Sequence, residues 1–336
     1  MQRLPATAAA PPFLAPRSSP LTMASTISLC VDGCTDVGNR RPNNEDAWWA
    51  GQAGGRHASM VPGPQPLTLS ADEGPSLLIV SDGIGGSNAG EVASQMAVNL
   101  VSAELLREPG ALGDARTAGF RIRACMEAAD LAIKAAATEP GFDGMGATLS
   151  LLCISGTGLA SWGHAGDSRI YVCRSGKLRQ VSRDHSAVGK LRQRGEITEA
   201  EARRHSLRNQ IDQSLGNTES PFEPDVGSEA AMHGDVFLLC SDGLSDGLWD
   251  HEIESILAGI RSQGDVRPAV VRLVQSAKEA SGRDNITVVV ARAQDKADPG
   301  PGAQAASYWR RTLRRLSKLA LPPAGGQAGG TSMPQP

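Results

Sequence analysis

Three apolar runs of strand length in this chain each touch an aspartate at one end. LLIVSDGIGG places Asp82 just after its run, VFLLCSDGLSDG places Asp242 just after another, and GRDNITVVVA places Asp284 just before a third. In an antiparallel sheet the end of one strand lies beside the start of its neighbour. Three such strands in one sheet would gather the three carboxylates at a single edge. The segment RPNNEDAWWA sets Glu45 and Asp46 immediately before a further apolar stretch, so they can join the same cluster. A knot of carboxylates with no Lys among them needs cations to neutralise it. A lone Asp-Gly after a strand is an ordinary turn, but turn-making does not explain an acid at every junction. An all-oxygen donor set without His or Cys suits the hard cations Mg²⁺ and Mn²⁺ rather than zinc. The pattern is that of a two-metal enzyme.

The rest of the sequence organises around those junctions. A chain of 336 residues fits one large domain or two small ones. Residues 1–25 are Ala/Pro-rich and read as a disordered extension, with Met23 an alternative start; Pro11 and Pro12 break any signal-peptide core. Strands are expected at Ile27–Val31, Ala47–Ala50 and Ser76–Ser81, with a Gly/Pro-rich surface loop over 51–75. Helices follow from Gly90 to Arg107, with Val92, Met96, Leu100 and Val101 on one face, and from Thr117 to Thr138. ATLSLLCI, LASWGHA, RIYVC and KLRQV, parted by short turn-bearing gaps, read as an antiparallel meander. Residues 182–218 are polar and helix-prone and read as an insertion. A strand at Asp235–Cys240, helices near 250–260 and 266–280, and a strand at Ile286–Val290 complete a mixed system of strands covered by helices.

Charge and cysteine usage narrow the class. A net charge of −3 offers no global case for nucleic acid, and no apolar run approaches the ~18–20 residues that span a bilayer. None of the six cysteines forms a Cys-x-x-Cys pair; Cys153, Cys173 and Cys240 lie in apolar runs, as reduced, buried thiols do. Cytoplasm is the expected compartment. In the tail, ASYWRRTLRRLSKLAL at 306–321 sets Trp309, Leu313, Leu316 and Leu319 or Ala320 on one helical stripe. Arg310, Arg311, Arg314, Arg315 and Lys318 cover the rest, and no Asp or Glu follows Asp298. Such a helix can dock on an acidic body, or touch anionic lipid or a partner protein.

The ordered set RRPNNEDAW, LLIVSDGIGGSNAGEVAS, DGMGATL, GHAGDSRIYV, VSRDHS, LLCSDGLSD and GRDNITVVV resembles the metal-dependent Ser/Thr protein phosphatases of the PPM, or type 2C, family, in its compact bacterial branch. The likeness runs from about residue 27 to 293, with seven motifs in family order. It implies an α+β, four-layer αββα sandwich, two antiparallel β-sheets flanked by helices, with a binuclear metal cleft at one end. The phosphatase domain would span 26–293 with 182–218 as its flap, and 294–336 would be a flexible tail. Asp82 would bridge two Mn²⁺ or Mg²⁺ ions. Asp242 and Asp284 would bind the first, Glu45 and the carbonyl of Gly83 the second, and Asp46 would hold metal-bound water. Asp143 would share a third, weaker metal with Asp242. Arg41 would grip the substrate phosphate, Asn285 would support Asp284, and Arg40 would be a solvated surface charge. The resemblance further implies in-line attack by a metal-bridging hydroxide, phosphoprotein substrates, a cognate Ser/Thr kinase to oppose, and a monomer.

Departures from the family pattern are local. Ile84 stands where many eukaryotic relatives carry a histidine general acid, Ser87 and Asn88 replace a histidine-bearing rim, and Ala147 replaces a common threonine. None removes a metal ligand. His164, Asp167 and Arg169 read as structural, and His185 and His205, on the flap, as docking candidates. Two rival functions carry their own signatures. The Asp-Gly-Ile-Gly-Gly turn looks like that of histidine-kinase-type ATPases, but the Asn-bearing helix that such a fold needs upstream is missing. A pure interaction protein with a dead catalytic shell would act through 306–321 alone.

Overall fold

The apolar runs show no simple in-out alternation because both faces of their strands are covered. In SLLIVS, Leu77 and Ile79 face a helical layer while Leu78 and Val80 face a second sheet. In VFLLC, Val236 and Leu238 face another pair of helices while Phe237 and Leu239 meet the first sheet. Period-two side-chain geometry thus puts each run into two cores at once.

The computed structural model describes residues 27–53, 57–59, 63, 65–85, 89–217 and 221–295. In chain order these form β1 (Ile27–Asp36), β2 (Ala47–Gln52), β3 (His57–Ser59), β4 (Leu67–Leu69), β5 (Ser76–Ser81) and β6 (Gly83–Ile84). Two long helices follow, α1 (Ala89–Arg107) and α2 (Ala115–Ala136). Next come β7 (Gly146–Ala147), β8 (Leu149–Ile154), β9 (Leu159–Ala165), β10 (Arg169–Arg174) and β11 (Lys177–Gln180), then α3 (Ala187–Gln193) and α4 (Glu199–Ala202). The chain continues through β12 (Asp225–Ala230), β13 (Val236–Cys240), α5 (Asp242–Gly247), α6 (Asp250–Ala258) and α7 (Val266–Ala280) to β14 (Ile286–Asp295). Residues 1–25, 306–321 and the Ser87–Asn88 rim lie outside the described residues, and of 294–336 only Gln294 and Asp295 are described, closing β14.

One sheet runs β11-β10-β13-β14-β1-β4 and the other β12-β9-β8-β5-β2-β3; a short ribbon pairs β6 with β7. Every pairing is antiparallel. The two sheets meet through Trp48, Leu78, Val80, Leu152, Leu239 and Val289. Helices α1 and α2 cover the β5 sheet, and α6 and α7 cover the β13 sheet. The result is the αββα sandwich, with three stacked cores.

Four expectations change. Asp82 follows a strand of one sheet, while Asp242 and Asp284 flank adjacent strands of the other. The acids therefore collect at one end of a sandwich and not along one sheet. The meander is two hairpins, β8–β9 in one sheet and β10–β11 in the other, because the chain crosses between layers at 166–168. The loop at 51–75 contains β3 and β4, which take their order from the backbones of β2 and β1. On α1, Leu100 is exposed and the buried face is Ala89, Gly90, Ala93, Ala97, Val98, Val101 and Leu105, since small residues let the helix lie close on the sheet.

One close approach fixes where α5 begins. A Cβ at Gly243 would lie 2.0 Å from the Asn285 carbonyl oxygen. Gly243→Ala must push α5 away from the start of β14, at a cost of about 1–3 kcal/mol. Equilibrium urea unfolding should show that loss as a lower midpoint with an unchanged slope.

Candidate active site

Each acidic side chain at the end of the sandwich is set there by a strand terminus with its own polar anchor. Asp82 follows β5, and its backbone N–H donates to the Thr148 hydroxyl at 3.0 Å while its carbonyl accepts from the Thr148 N–H at 2.8 Å. Asp242 opens α5 directly after β13. Asp284 precedes β14 and accepts a hydrogen bond from Arg41 at 2.6 Å. Glu45 precedes β2; its N–H donates to the Asn285 side-chain oxygen at 2.8 Å, and its carbonyl accepts from the Gly83 N–H at 3.1 Å. A Cβ at Gly83 would sit 2.2 Å from the Gly90 carbonyl oxygen, so only glycine lets this backbone pass between Glu45 and the start of α1.

Arg41, Glu45, Asp82, Gly83, Asp242 and Asp284 line one cleft of about 280 Å³, together with Ile84, Thr148, Asp167, Asn209 and Ile211. The last two come from the flap, whose base is pinned by bridges between Ser186 and Ile211 and between Ala147 and Leu215. Asp46 lies just behind the cleft, fully buried, accepting from the Ser241 hydroxyl at 2.7 Å. Asp143 is exposed in the turn before β7 and is not among the residues lining the cleft.

The electrostatics are those of crowded like charges. Burial pushes the Asp82 carboxyl well above the usual range, and Asp46, Asp242, Asp167 and Asp284 add repulsion. Burial does the same to Asp242, with Asp167, Asp246, Asp284 and Asp46 adding to it. Burial also raises Asp46 to about 6, against the opposing effect of the Thr287 and Ser241 hydroxyls. Arg41 is half exposed and answers only part of this charge.

These residues fit divalent cations. Oδ1 of Asp242 is buried with no hydrogen-bond partner, as is Oδ1 of Asp46, so each has an oxygen that nothing in the protein satisfies. The donors around them are carboxylate and carbonyl oxygens, the set hard cations take. Among the described residues no three His, Cys, Asp or Glu side chains close into a tight cage by themselves. Mg²⁺-like ions keep several waters and take few protein carboxylates.

The protein phosphatase 2C family model matches residues 67–289. The chain belongs to the protein phosphatase 2C family. It is 36% identical over 271 residues to the serine/threonine protein phosphatase PstP of Mycobacterium tuberculosis, covering 80% of this chain and 46% of PstP. It therefore spans less than half the length of that relative. It is 32% identical over 259 residues to the protein phosphatase PhpP of Streptococcus pneumoniae, covering 76% of this chain and 94% of PhpP. A solved structure of the PstP catalytic domain, in complex with two manganese ions, superposes with a TM-score of 0.64 at 35% identity, over 80% of this chain and all of that one.

Within this protein phosphatase 2C domain, Asn285 does more than support its neighbour. Its side chain accepts from Glu45 N–H and donates to the carbonyls of Val37 at 3.0 Å and Asn43 at 2.9 Å, so one buried amide clamps the Arg41–Glu45 loop. Arg169 is structural as expected, forked onto Asp184 at 2.7–3.0 Å and donating to the Tyr171 hydroxyl at 3.1 Å. Asp167 instead lines the cleft, with its carboxyl raised to about 6 by burial and by Asp184. His164 is fully buried between the Ser150 hydroxyl and the Gly166 carbonyl, and burial lowers it to about 4, so it stays neutral. His185 packs on His164, with ring centroids 5.0 Å apart, which makes it part of the flap base. Arg40 is exposed. All six cysteines are free, and burial pushes Cys153 and Cys240 up to about 12.

Asn285→Ala leaves the Glu45 N–H and two loop carbonyls without their partner, at a cost of about 1–3 kcal/mol. Chemical denaturation should read that loss. Asn285→Asp, which sets a buried carboxylate oxygen against the Val37 and Asn43 carbonyls beside Asp284, should cost at least as much.

Proposed function

We propose that this protein is a metal-dependent phosphoprotein phosphatase that hydrolyses phosphoserine and phosphothreonine and opposes a Ser/Thr kinase. The observation that carries the reading is the convergence of Glu45, Asp82, Asp242 and Asp284, from two different sheets, on one cleft that also holds Arg41. Kinship with PstP and PhpP supports it. Asp82, Asp242 and Asp284 with Glu45 and the Gly83 carbonyl are the residues assigned to two Mn²⁺ or Mg²⁺ ions, and Asp143 with Asp242 to a third, weaker one. When bound, two such cations acidify water and screen the phosphoryl oxygens, which makes an otherwise very slow hydrolysis accessible.

The chain's own groups do the rest. Arg41 presents a planar guanidinium fork, half exposed at the cleft, that can pair two phosphate oxygens at once. Its present partner Asp284 holds that fork over the cleft, ready to be exchanged for phosphate. Asp46, anchored by Ser241 just behind the cleft, keeps a buried oxygen without a protein partner and is the acid assigned to hold water on the cations. Ile84 lines the wall where a histidine would donate a proton, so the leaving oxygen takes its proton from water and not from that position.

The protein is read as a cytoplasmic monomer acting on phosphoproteins. Among the described residues no helix is long and apolar enough to cross a membrane. The basic 306–321 sequence fits a peripheral contact with anionic lipid or a partner protein.

The test is release of phosphate from a phosphothreonine peptide. Purified protein should release it with Mn²⁺ and stop on chelation, and Asp242→Ala should lose about 10³-fold in turnover or more. Full activity in a folded Asp242→Ala variant, or in the presence of chelator, would contradict the metal assignment.

A further inference from the structure

Beside the cleft, on the flap side, lies a second hollow of about 220 Å³ lined by Arg203, Arg208, Asp246, Ser281 and Arg283. It joins the cleft through the chain itself. Arg208 precedes Asn209, and Arg283 precedes Asp284, and both Asn209 and Asp284 line the cleft. A smaller hollow under the flap, holding Asp242, Asn209, Arg203, Arg208 and Asp246, connects the two.

The three arginines are not in the same condition. Arg203 is committed: it pairs with Glu199, donates to the carbonyls of Asp246 and Leu248, and stacks on Trp249 at 4.2 Å. Arg208 and Arg283 are exposed, and neither guanidinium has an ion pair or side-chain hydrogen bond among the described residues. Among the described residues Asp246 is the only acid lining the hollow, so two uncommitted cations and one committed cation face a single carboxylate. Single unpaired arginines occur elsewhere on the surface, such as Arg40 and Arg204; what sets this hollow apart is that two of them line it together. Two unpaired guanidiniums converging from separate segments make an anion-binding arrangement, because the fork geometry matches carboxylate or phosphate oxygens.

We propose that this hollow is a specificity subsite of the phosphatase cleft, taking an acidic group that flanks the phosphorylated residue: a carboxylate or a second phosphate. The inference rests on the phosphatase reading above. Arg208 and Arg283 each adjoin a cleft-lining residue, and an extended peptide advances ~3.3–3.6 Å per residue, so the group to be taken is one close in sequence to the phosphoresidue. Arg203, held rigid by Trp249 and Glu199, forms the back of the subsite, and Arg208 and Arg283 close on the anion from the flap and the β14 side. Substrates of this protein should then be acidic or multiply phosphorylated around the site of hydrolysis.

The experiment compares phosphothreonine peptides of one length, flanked by Asp, by Ala, by Lys or by a second phosphothreonine. It uses the full chain with Mn²⁺ and the variants Arg208→Ala, Arg283→Ala, their double and Arg283→Glu. Because both arginines are exposed and unpartnered, circular dichroism should show each variant folded. The parent protein should favour the Asp-flanked over the Ala-flanked peptide about five- to tenfold in kcat/KM, carried by KM, and the preference should weaken with salt. The double variant should bring that ratio near one, and Arg283→Glu should turn it toward the Lys-flanked peptide. Equal ratios in parent and double variant would overturn the subsite. Anisotropy of labelled peptides, read alongside, separates the two claims. No phosphate release with selective, arginine-dependent binding of the Asp-flanked peptide would sink the phosphatase reading and keep the subsite. Release without any flank preference would do the reverse.

Discussion

The apolar interface between the two sheets decides the position of every group at the cleft. Leu78 and Val80 from one sheet interlock with Phe237, Leu239 and Val289 from the other, and Trp48 fills the space between the layers. Such cores are packed to crystal-like density and tolerate little sliding. A shift of one sheet over the other would move Asp82 and Glu45 away from Asp242 and Asp284, which sit on opposite sides of that interface. Burial at roughly 25 cal/mol per Å² is what holds four like-charged groups together. The carboxylates do not hold the sandwich; the sandwich holds the carboxylates.

Polar anchors then finish what packing begins. The Ser241 hydroxyl donates to Asp46 and accepts from the Thr287 N–H at 3.0 Å, so one side chain ties the β13–β14 end to the segment entering β2. Thr35 and Thr287 meet at 2.7 Å, and Asn44 donates to Thr35 at 2.7 Å. With the Asn285 clamp, these bonds give the Arg41–Glu45 loop a fixed course although it has no regular structure of its own. Preorganised donors and acceptors of this kind need no rearrangement when charge arrives. The same scaffold places Arg208 and Arg283 one residue away from cleft-lining positions, so selectivity for the surroundings of a phosphate can grow from the same rigid ends.

Much of this was legible in the sequence, for reasons that differ by element. The strand Ser76–Ser81 and the helix over 266–280 stand out because their apolar pattern is strong and bounded by turn residues. The acids proposed to hold metal stand out because each touches such a strand. Which sheet a strand joins is not a local property, so β8–β9 and β10–β11 look like one meander until the crossing at 166–168 is seen. The edge strands β3 and β4 lie in a Gly/Pro-rich stretch and depend on their partners' backbones. The packing face of α1 was legible in Val92, Met96 and Val101, while Leu100 turns out exposed and Ala89, Gly90, Ala93 and Ala97 supply close contacts that alanine and glycine do not advertise. Asp167 was missed although it obeys the same rule as the others: it follows the strand β9 by two residues. The clamp role of Asn285 depends on partners some 240 residues away in the chain and has no sequence signal.

Thermal unfolding of the parent protein and Asp82→Asn, each with chelator and with Mn²⁺, tests the central claim most directly. If buried like charges are gathered for a cation, removing one should relieve repulsion without metal and forfeit binding with it. Asp82→Asn should melt above the parent in chelator and below it in Mn²⁺, at about 2–4 °C per kcal/mol for a domain of this size. A variant that melts below the parent in chelator, or gains as much from Mn²⁺ as the parent does, would contradict the account.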